Sequence, residues 1–482
     1  LQTVSPLPQG VTQRTSNPVG RGYTVVIGFK RRSCCWPTGP WATFTPDGKR
    51  SYASQPSVEL RGMNYNYRYR LKPTENQRET LDYHRDTCRQ LYNHALYRLN
   101  QIPESEGTVK QRVRTIRDEL PDLKDWWDAL TDIYSKVLQP TVMRIAKNIT
   151  ALGQLKKQGY KIGELRWKSP REFRSFTYNQ SGFVLDKKSG QTVLSLSKLA
   201  DIPIEVHRPL PENATVKEVT LKKEKTSEWF AIFGIEMDTE PPAKPSLEDV
   251  DTDDMVGIDV GILKYAHDTD GTAVGSPDLS EERDRLEREQ RNLSRKEHGS
   301  NNWEKQRRRV AECHQQIKRT RRDFLHKLSN YYAREYDLVA VEALNVKGML
   351  ESPGNSRNTA SAAWNTFTDL LGYKCKRGGT HFVEVDPEDT TKECASCGVK
   401  TDKPLWVREH SCPSCGFKTD RDANAAWNIL SRGLTDLGVG HSEGTPVETA
   451  LPTGTAVVPA KRVVEAGSPC LKEPSTAASR QG

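Results

Sequence analysis

The 482-residue chain contains no apolar run that approaches the ~20 residues needed to cross a bilayer. Its longest early apolar run, residues 23–29, is too short and too far along the chain to be the core of a signal peptide. No internal repeat is visible, and the mean hydropathy is −0.74. These absences exclude an ordinary membrane or secreted protein, so we expect a cytoplasmic protein with no membrane partner.

The basic excess is concentrated at the start of the chain. The formal charge is +9. The first methionine is Met63, and residues 1–62 carry eight Lys or Arg and two Asp or Glu, which leaves +3 for the remainder. We expect residues 1–62 to be a non-native or disordered extension. Local clusters of basic residues should therefore indicate a nucleic-acid partner better than the total charge does.

Cysteine use is uneven along the chain. Six cysteines are scattered and are expected to be buried apolar side chains rather than disulfides: Cys34, Cys35, Cys88, Cys313, Cys375 and Cys470. The other four form two Cys-x-x-Cys pairs, each followed by glycine and separated by fourteen residues. They are Cys394, Cys397, Cys412 and Cys415.

Two such pairs predict an all-thiolate tetrahedral site for a structural Zn²⁺ ion, with no open coordination position. A redox dithiol is the competing interpretation of a single pair. The sequence leaves open whether this ribbon braces a neighbouring helix or grips nucleic acid.

The N-terminal half predicts a helical segment joined to a small β domain. Asn64–Leu71 alternates like a strand, and Thr74 with Gln77 predicts a capping box at the start of a helix. Helices should continue to about residue 158, with breaks at Pro103, Pro121 and Pro140. Short strands follow, including a hairpin formed by residues 216–222 and 229–237.

Two basic segments are candidate nucleic-acid surfaces. Residues 166–178 interleave cations with aromatic residues, a mixture that can hold phosphates and stack on bases, although a solvated strand edge is an equal alternative. Residues 280–335 predict two charged helices hinged near 298–300. Their basic runs are typical of a solvated helix face, but their place between the acidic strands favours nucleic acid. The candidate residues are Arg166, Lys168, Arg171, Arg174, Arg307, Arg308, Arg309, Arg321 and Arg322.

Three acids stand in contexts that call for a partner. Asp259 interrupts an apolar strand that follows the acidic linker 238–253, and Glu342 ends the apolar run 338–341. A buried carboxylate normally has a cationic partner or a metal. Asp422 precedes small residues that would let a helix lie close to a sheet, while Asp420 is better placed as a helix cap.

Asp259, Glu342 and Asp422 together predict an RNase H-like (RuvC-type) centre. Residues 263–274 resemble a hairpin that turns at Asp270-Gly271, which is how such a sheet begins. Carboxylates favour Mg²⁺ or Mn²⁺, and three of them suit two ions that hydrolyse a phosphodiester. These residues are the predicted catalytic acids and the ligands of the catalytic ions.

The combined pattern resembles the TnpB (OrfB) proteins of prokaryotic insertion sequences, relatives of type V CRISPR effector nucleases. The motifs that carry the resemblance are GIDVG, LVAVEALNV, FVEVDPEDTTKECASCG, HSCPSCG and DRDANAAWNIL. Softer matches are MNYNYRYRLKPT, LYNHAL and RSFTYNQ, so the resemblance extends over about residues 63–430. It implies an RNA-guided DNA endonuclease that binds a guide RNA from the element end and cuts double-stranded target DNA.

The resemblance also implies a multidomain α/β architecture. We expect a β wedge (oligonucleotide-binding-like) domain, a helical recognition domain, and a RuvC-like nuclease domain that contains a charged helical insertion and the zinc ribbon. A disordered tail should follow. The wedge domain comprises 63–75 with 166–240, the recognition domain 76–165, and the nuclease domain 250–279 with 336–440. The helical insertion comprises 280–335, the zinc ribbon 390–418 and the tail 441–482. The alternatives are a transposase, for which no helix-turn-helix is recognisable, and a non-catalytic zinc-ribbon DNA-binding regulator of transposition.

Overall fold

The structure, a computed structural model, describes residues 63–157, 159–237, 240–344, 363–404, 406–439 and the backbone of 456–458. The predictions for residues 1–62 and for most of the tail lie outside these ranges. The α-helices of the described residues are α1 (Glu75–Gln101), α2 (Val109–Asp118), α3 (Leu120–Trp126), α4 (Ser135–Lys157), α5 (Ser280–Ser294), α6 (Asn301–Glu335), α7 (Trp364–Gly378) and α8 (Arg421–Asp436).

The strands of the same residues form two large sheets and one short hairpin. They are β1 (Met63–Leu71), β2 (Ser175–Asn179), β3 (Phe183–Lys188), β4 (Gln191–Leu196), β5 (Leu199–Glu205), β6 (Ala214–Lys223), β7 (Trp229–Met237), β8 (Met255–Val260), β9 (Lys264–Asp268), β10 (Thr272–Gly275), β11 (Leu338–Glu342), β12 (His381–Val385), β13 (Glu409–Ser411), β14 (Lys418–Asp420) and β15 (Ala456–Val458).

The first helix begins as predicted. The Thr74 side chain accepts from the Gln77 amide, and the Gln77 side chain accepts from the Thr74 amide, which completes the capping box. A predicted break is wrong, however, because Pro140 lies inside α4. A proline costs a helix interior about 3 kcal/mol. Burial of the apolar face of α4, which includes Val142 and Ile145, outweighs that cost.

The first sheet has seven strands in the order β2-β6-β7-β1-β5-β4-β3. Its β6 and β7 form the predicted hairpin, and β1 pairs antiparallel with β7. One hydrophobic core joins this sheet to the helices α1 to α4, with side chains such as Tyr69, Leu91, Val142 and Phe233 fully buried. The helical and strand segments thus stabilise each other by sharing apolar surface.

The second sheet has six strands in the order β12-β11-β8-β9-β10-β15. Strand β11 is parallel to both β8 and β12, whereas β9 is antiparallel to β8 and β10. The β9–β10 turn lies at the predicted Asp270-Gly271, where Gly271 has a φ of +76°. The three described residues of the tail, 456–458, form an edge strand parallel to β10. The predicted disorder of residues 441–482 stays a prediction.

Helix α8 packs directly onto the second sheet because small residues occupy the contact. A Cβ added to Gly257 would lie 2.1 Å from the Ala426 carbonyl oxygen. Further along the helix, a Cβ added to Gly433 would lie 2.8 Å from Ala340 on β11. This close approach, predicted from the small residues of α8, sets where the start of the helix meets the sheet.

The charged segment 280–335 forms two helices, as predicted. Helix α5 ends at Ser294 and α6 starts at Asn301, with Gly299 at a φ of +86° between them and the Ser300 hydroxyl capping α6. None of the helices in the described ranges is long and apolar enough to cross a membrane.

Candidate active site

The four predicted cysteines come together. The Sγ atoms of Cys394 and Cys415 are 3.7 Å apart, those of Cys397 and Cys412 are 3.5 Å apart, and all four lie within 4.8 Å of one another. Thiolates that bind one ion tetrahedrally at ~2.3 Å would be about 3.8 Å apart. The cluster therefore has the donor type and the spacing to hold one metal ion.

Each Cys-x-x-Cys pair folds into the same tight knuckle. The amide of Gly398 donates to the Cys394 carbonyl at 2.8 Å, and the amide of Gly416 donates to the Cys412 carbonyl at 3.0 Å. Both glycines have a positive φ, +74° and +75°, which side chains disfavour. The glycine after each pair is thus explained. Backbone hydrogen bonds, that of the Cys415 amide foremost, lower the pKa of Cys412 to about 6, whereas burial raises the pKa of Cys394 to about 12.

The first knuckle is fastened to α8 by two asparagines one turn apart. Asn424 donates to the Glu393 carbonyl and accepts from the Ala395 amide at 3.0 Å. Asn428 donates to the same Glu393 carbonyl at 2.7 Å and to the Thr390 carbonyl at 2.8 Å. The alternative that the sequence left open is resolved in part, because the ribbon does brace this helix.

The three predicted acids lie at one end of the second sheet. Asp259 is near the carboxyl end of β8, and Glu342 ends the neighbouring parallel strand β11, where Val341 pairs with Ile258. Asp422 is in the first turn of α8, the helix that crosses β8 at Gly257. The ends of two parallel strands and the start of one helix therefore bring the acids to the same edge, a common place for a binding site.

Asp420 takes the role predicted for it. Its side chain caps α8 by accepting from the Asp422 amide at 2.8 Å. It also lies 3.7 Å from the ammonium group of Lys264. The Asp422 carboxylate pairs with two arginines, Arg408 and Arg421.

The acids interact electrostatically. Burial, followed by the like charges of Glu342 and Asp422, raises the pKa of Asp259 well above its usual range. Burial also raises the pKa of Glu342, while a hydrogen bond from Thr390 opposes that rise. A divalent cation would remove the repulsion, so the oxygen donors and their mutual repulsion fit a hard metal ion.

The acids are more widely spaced than the cysteines. Among the described residues, only the four cysteines form a group of three or more Cys, His, Asp or Glu whose ligand atoms all lie within 4.8 Å of one another. Two ions are typically 3.5–4 Å apart, so acids that hold two ions need not surround a single point. The pair of ions therefore stays a prediction.

Two basic residues that the sequence analysis missed partly neutralise the cluster. Arg408, which precedes β13 in the ribbon, donates to the Asp422 carboxylate, and its carbonyl accepts from the Arg421 amide at 2.7 Å. The guanidinium of Arg421 lies 3.5 Å from Asp422. The ribbon was predicted from its cysteines, and no motif indicated that the loop between the knuckles returns to the acids.

The sequence analysis also missed His267 on β9. It pairs directly with Asp259 across the antiparallel strands and is 1% exposed. Neither ring nitrogen makes a hydrogen bond to a described residue, although the Asp268 backbone lies near the ring without hydrogen-bonding geometry. Burial lowers the pKa of His267, as does Lys264. His267 lies on the first strand of the predicted hairpin 263–274, and the register of that strand against the Asp259 strand was not predicted.

The candidate basic residues divide into paired and open groups. Arg171 and Arg307 both bind the carboxylate of Glu304, at 2.6 and 2.8 Å, and this contact joins the 166–178 segment to α6. Arg174 donates to the Arg171 carbonyl. Of the remaining candidates, Lys168 and Arg321 are half-buried, and the others are exposed: Arg166, Arg308, Arg309 and Arg322.

The aromatic residues of the same segment are mostly core residues. Phe173, Phe176 and Tyr178 are at most 3% exposed and pack between the first sheet and the helices. Trp167 is 61% exposed. Base stacking by the three buried rings is thus excluded. Phe176 and Tyr178 lie on β2, where alternate side chains face the core, whereas Phe173 precedes the strand.

The scattered cysteines that the structure describes agree with prediction. Cys88, Cys313 and Cys375 are buried free thiols. The other three, Cys34, Cys35 and Cys470, lie outside the described ranges.

Comparison with known proteins gives the family. A protein of Streptomyces pristinaespiralis named "Putative RNA-guided DNA endonuclease" is 34% identical over 380 residues, which cover 76% of this chain and 89% of the relative. The chain belongs to the TnpB (OrfB) family. Its relative InsQ of Escherichia coli K12, which carries the same description, is 28% identical over 79% of this chain and 96% of its own.

Family profiles match three segments. They are described as "Probable transposase" for residues 234–353, "Cas12f1-like, TNB domain" for 364–429 and "Helix-turn-helix domain" for 63–107. The sequence analysis recognised no helix-turn-helix, and the profile match to residues 63–107 corrects that prediction. In the structure, residues 63–107 form β1, the 27-residue helix α1 and a short 3₁₀ turn.

A solved structure shares the fold at low sequence identity. It is the chain of a Cas12f1–sgRNA–target DNA complex, with a TM-score of 0.51 and 14% identity over 74% of this chain and 83% of that one. At this level of identity the likeness shows a common mixed α/β architecture.

Proposed function

We propose that this chain is an RNA-guided DNA endonuclease of an insertion sequence, with Asp259, Glu342 and Asp422 as its catalytic acids. The carrying observation is their convergence at one edge of the second sheet, where burial and then repulsion from Glu342 and Asp422 raise the pKa of Asp259. Arg408 and Arg421 pair with Asp422 and only partly offset this repulsion, so the cluster still favours a divalent cation. The names of the two bacterial relatives support the guided activity.

The second sheet supports a RuvC-type, RNase H-like domain. Its strand order β12-β11-β8-β9-β10 puts the Asp259 strand in the centre, with one antiparallel neighbour and one parallel neighbour. We assign 250–279 with 336–440 to this nuclease domain, 280–335 to its helical insertion and 390–418 to the ribbon. We assign 63–75 with 166–240 to a wedge domain and 76–165 to a recognition domain.

The residues have distinct roles in phosphodiester hydrolysis. Asp259, Glu342 and Asp422 would hold two Mg²⁺ or Mn²⁺ ions, which supply activation of water and stabilisation of the leaving 3′ oxygen. Thr390 orients the Glu342 carboxylate through its hydroxyl. Arg408 holds Asp422 and places a positive charge where a phosphate would approach. The four cysteines would hold a structural Zn²⁺.

The proposed partners are a guide RNA from the element end and double-stranded target DNA. A guided enzyme needs backbone and shape contacts more than base contacts. The exposed Arg308 and Arg309 on α6 and Arg166 beside Trp167 could supply them. Arg322 is also exposed, but it donates to His326 Nε2 at 3.3 Å. The other candidates, Lys168, Arg171, Arg174, Arg307 and Arg321, are half-buried or already paired within the chain and would contribute less.

The function is tested by cleavage of a plasmid library with a randomised flank next to the target. The full chain is purified with co-expressed RNA from the element end and compared with Glu342→Gln and with Glu384→Gln. Glu384 is an exposed carboxylate on β12 of the same sheet and serves as the matched control. We expect cleavage that needs the RNA and Mg²⁺, is lost in Glu342→Gln and is kept in Glu384→Gln.

The other outcomes separate the alternatives. Cutting without RNA that still needs Glu342 would indicate a transposase or a general nuclease. DNA binding by a metal-loaded protein that never cuts, with no difference between Glu342→Gln and the parent, would indicate a non-catalytic regulator.

A further inference from the structure

His267 shares a sheet face with the central acid of the proposed site. In an antiparallel pair, directly opposite residues project to the same face, with Cβ atoms about 4.5–5.5 Å apart. Asp259 and His267 are such a pair. Gly257, two residues before Asp259, faces α8 on that same side. The imidazole therefore lies on the face of the sheet that α8 covers, and Asp422 is in the first turn of that helix.

The ring is buried without a hydrogen bond. His267 is 1% exposed, and both of its ring nitrogens lack a hydrogen-bond partner among the described residues. His84, also buried, has only one such nitrogen. Leaving a buried polar atom unpaired typically costs about 1–3 kcal/mol. A position that carries this cost beside a catalytic acid indicates a group whose partner arrives with a ligand.

We propose that His267 supplies a nitrogen ligand to a divalent cation bound by Asp259 and Asp422, and that this ligand favours Mn²⁺ over Mg²⁺ relative to a centre made of carboxylates alone. The proposal rests on the proposed function, since it presumes that the acids hold metal. It adds a ligand and a metal preference that the three acids do not imply.

Coordination chemistry favours a cation over a phosphate as the partner. An almost fully buried ring is closed to a phosphodiester, whereas an ion can reach it between the side chains. Imidazole binds first-row transition ions better than it binds Mg²⁺, which prefers oxygen. The ligand atoms of Asp259, Asp422 and His267 do not all lie within 4.8 Å of one another, so shared coordination requires these side chains to move closer when an ion binds.

The test measures metal binding directly on the zinc-loaded full chain without nucleic acid. Mn²⁺ is titrated by the electron paramagnetic resonance of the free ion, and Mg²⁺ affinity is obtained by competition. The variants are Asp259→Ala, His267→Asn and the matched control His84→Asn, a buried histidine in the other hydrophobic core. Circular dichroism verifies that each variant is folded.

We expect Asp259→Ala to abolish binding of both ions. We expect His267→Asn to weaken Mn²⁺ about tenfold or more, to change Mg²⁺ much less, and to remove the nitrogen modulation from the spin echo of bound Mn²⁺. His84→Asn should match the parent. Unchanged Mn²⁺ binding in His267→Asn, with binding lost in Asp259→Ala, overturns this proposal and leaves the proposed function standing.

Three further results would also overturn it. An equal loss of both ions in His267→Asn, or the same loss in His84→Asn, would indicate a structural role. Full metal binding in Asp259→Ala would contradict the acidic metal centre itself and therefore the proposed function as well.

Discussion

The hydroxyl of Thr390 donates a hydrogen bond to Oε1 of Glu342 at 2.5 Å, and the carbonyl of the same Thr390 accepts from Asn428 on α8 at 2.8 Å. One residue at the base of the ribbon thus contacts both an acid of the sheet and the helix that carries Asp422. Through these two hydrogen bonds, the position of the ribbon affects the relative positions of Glu342 and Asp422.

Replacing Thr390 with valine should weaken cleavage more at low pH than at high pH. The hydroxyl opposes the burial that raises the pKa of Glu342, so its loss raises that pKa further and leaves more of the carboxyl protonated as the pH falls. A hydrogen bond to a charged group contributes about 1.5 kcal/mol, or about tenfold in rate. The measurement is a pH–rate profile of guided cleavage beside Thr380→Val, a buried threonine that bonds Ala333 in the same domain. Identical profiles for the two variants would contradict the role of Thr390.

Replacing Asn428 with alanine should reduce cleavage while zinc content is retained. Asn428 donates to the carbonyls of Thr390 and Glu393. Its replacement removes both hydrogen bonds, and a buried carbonyl left without a donor costs about 1–3 kcal/mol of stability. The cysteines themselves are unaffected. Metal analysis and cleavage of the same preparation check this, and full activity would mean that the ribbon does not need this link to α8.

Replacing Cys397 with serine should remove bound zinc and, with it, cleavage. A four-cysteine site is expected to hold one zinc ion per chain. Loss of that ion should unfold the ribbon, including the first knuckle, which Asn424 and Asn428 contact. Cys313→Ser changes a buried thiol outside the cluster and should keep both zinc and activity. Zinc is measured by atomic emission. Cleavage by a zinc-free chain would contradict the bracing role.

Replacing Gly257 with alanine should destabilise the second sheet by about 1–3 kcal/mol or more. The added Cβ would lie 2.1 Å from the Ala426 carbonyl oxygen and 2.8 Å from the Leu430 amide nitrogen, so α8 must move away from β8. Gly153→Ala is the control, because a Cβ there meets nothing within 4 Å and the residue lies in α4. The free energy of unfolding is measured in denaturant. Equal stabilities would contradict the close packing of α8.

His84 should make the protein less stable as the pH falls from about 6.5 to 4. Burial lowers its pKa from 6.5 to about 4, so the unfolded chain binds a proton in this range while the folded chain does not. The stabilisation is complete above pH 6.5, and its loss amounts to about 3 kcal/mol at most. His84→Gln should have a flatter dependence of unfolding free energy on pH than the parent. Parallel curves for the two would show that His84 does not contribute.

Features that depend on a few neighbouring residues could be predicted from the sequence. The Cys-x-x-Cys-Gly knuckles follow from local ligand spacing and from the turn that glycine permits, and the Thr74–Gln77 capping box is likewise local. The acids Asp259 and Glu342 were visible because a charge at the end of an apolar strand is costly without a partner. Even the split between Asp420 as cap and Asp422 as cluster member followed from helix-start chemistry.

Only the tertiary structure determined which distant residues contact these local features. Three residues lie near the acids only because of the tertiary structure: Arg408 on the loop between the knuckles, His267 through the pairing of β9 with β8, and Thr390 at the start of the ribbon. None of these contacts follows from a fixed spacing in the sequence. The aromatic pattern of residues 166–178 was equally ambiguous, because alternation cannot tell which face is core. The sequence by itself determined which residues supply metal-ligand atoms and which local turns they adopt, since those turns depend on neighbouring residues. The structure alone determined how charges and buried groups pair, because pairing energy depends on distance in space and on exclusion of water.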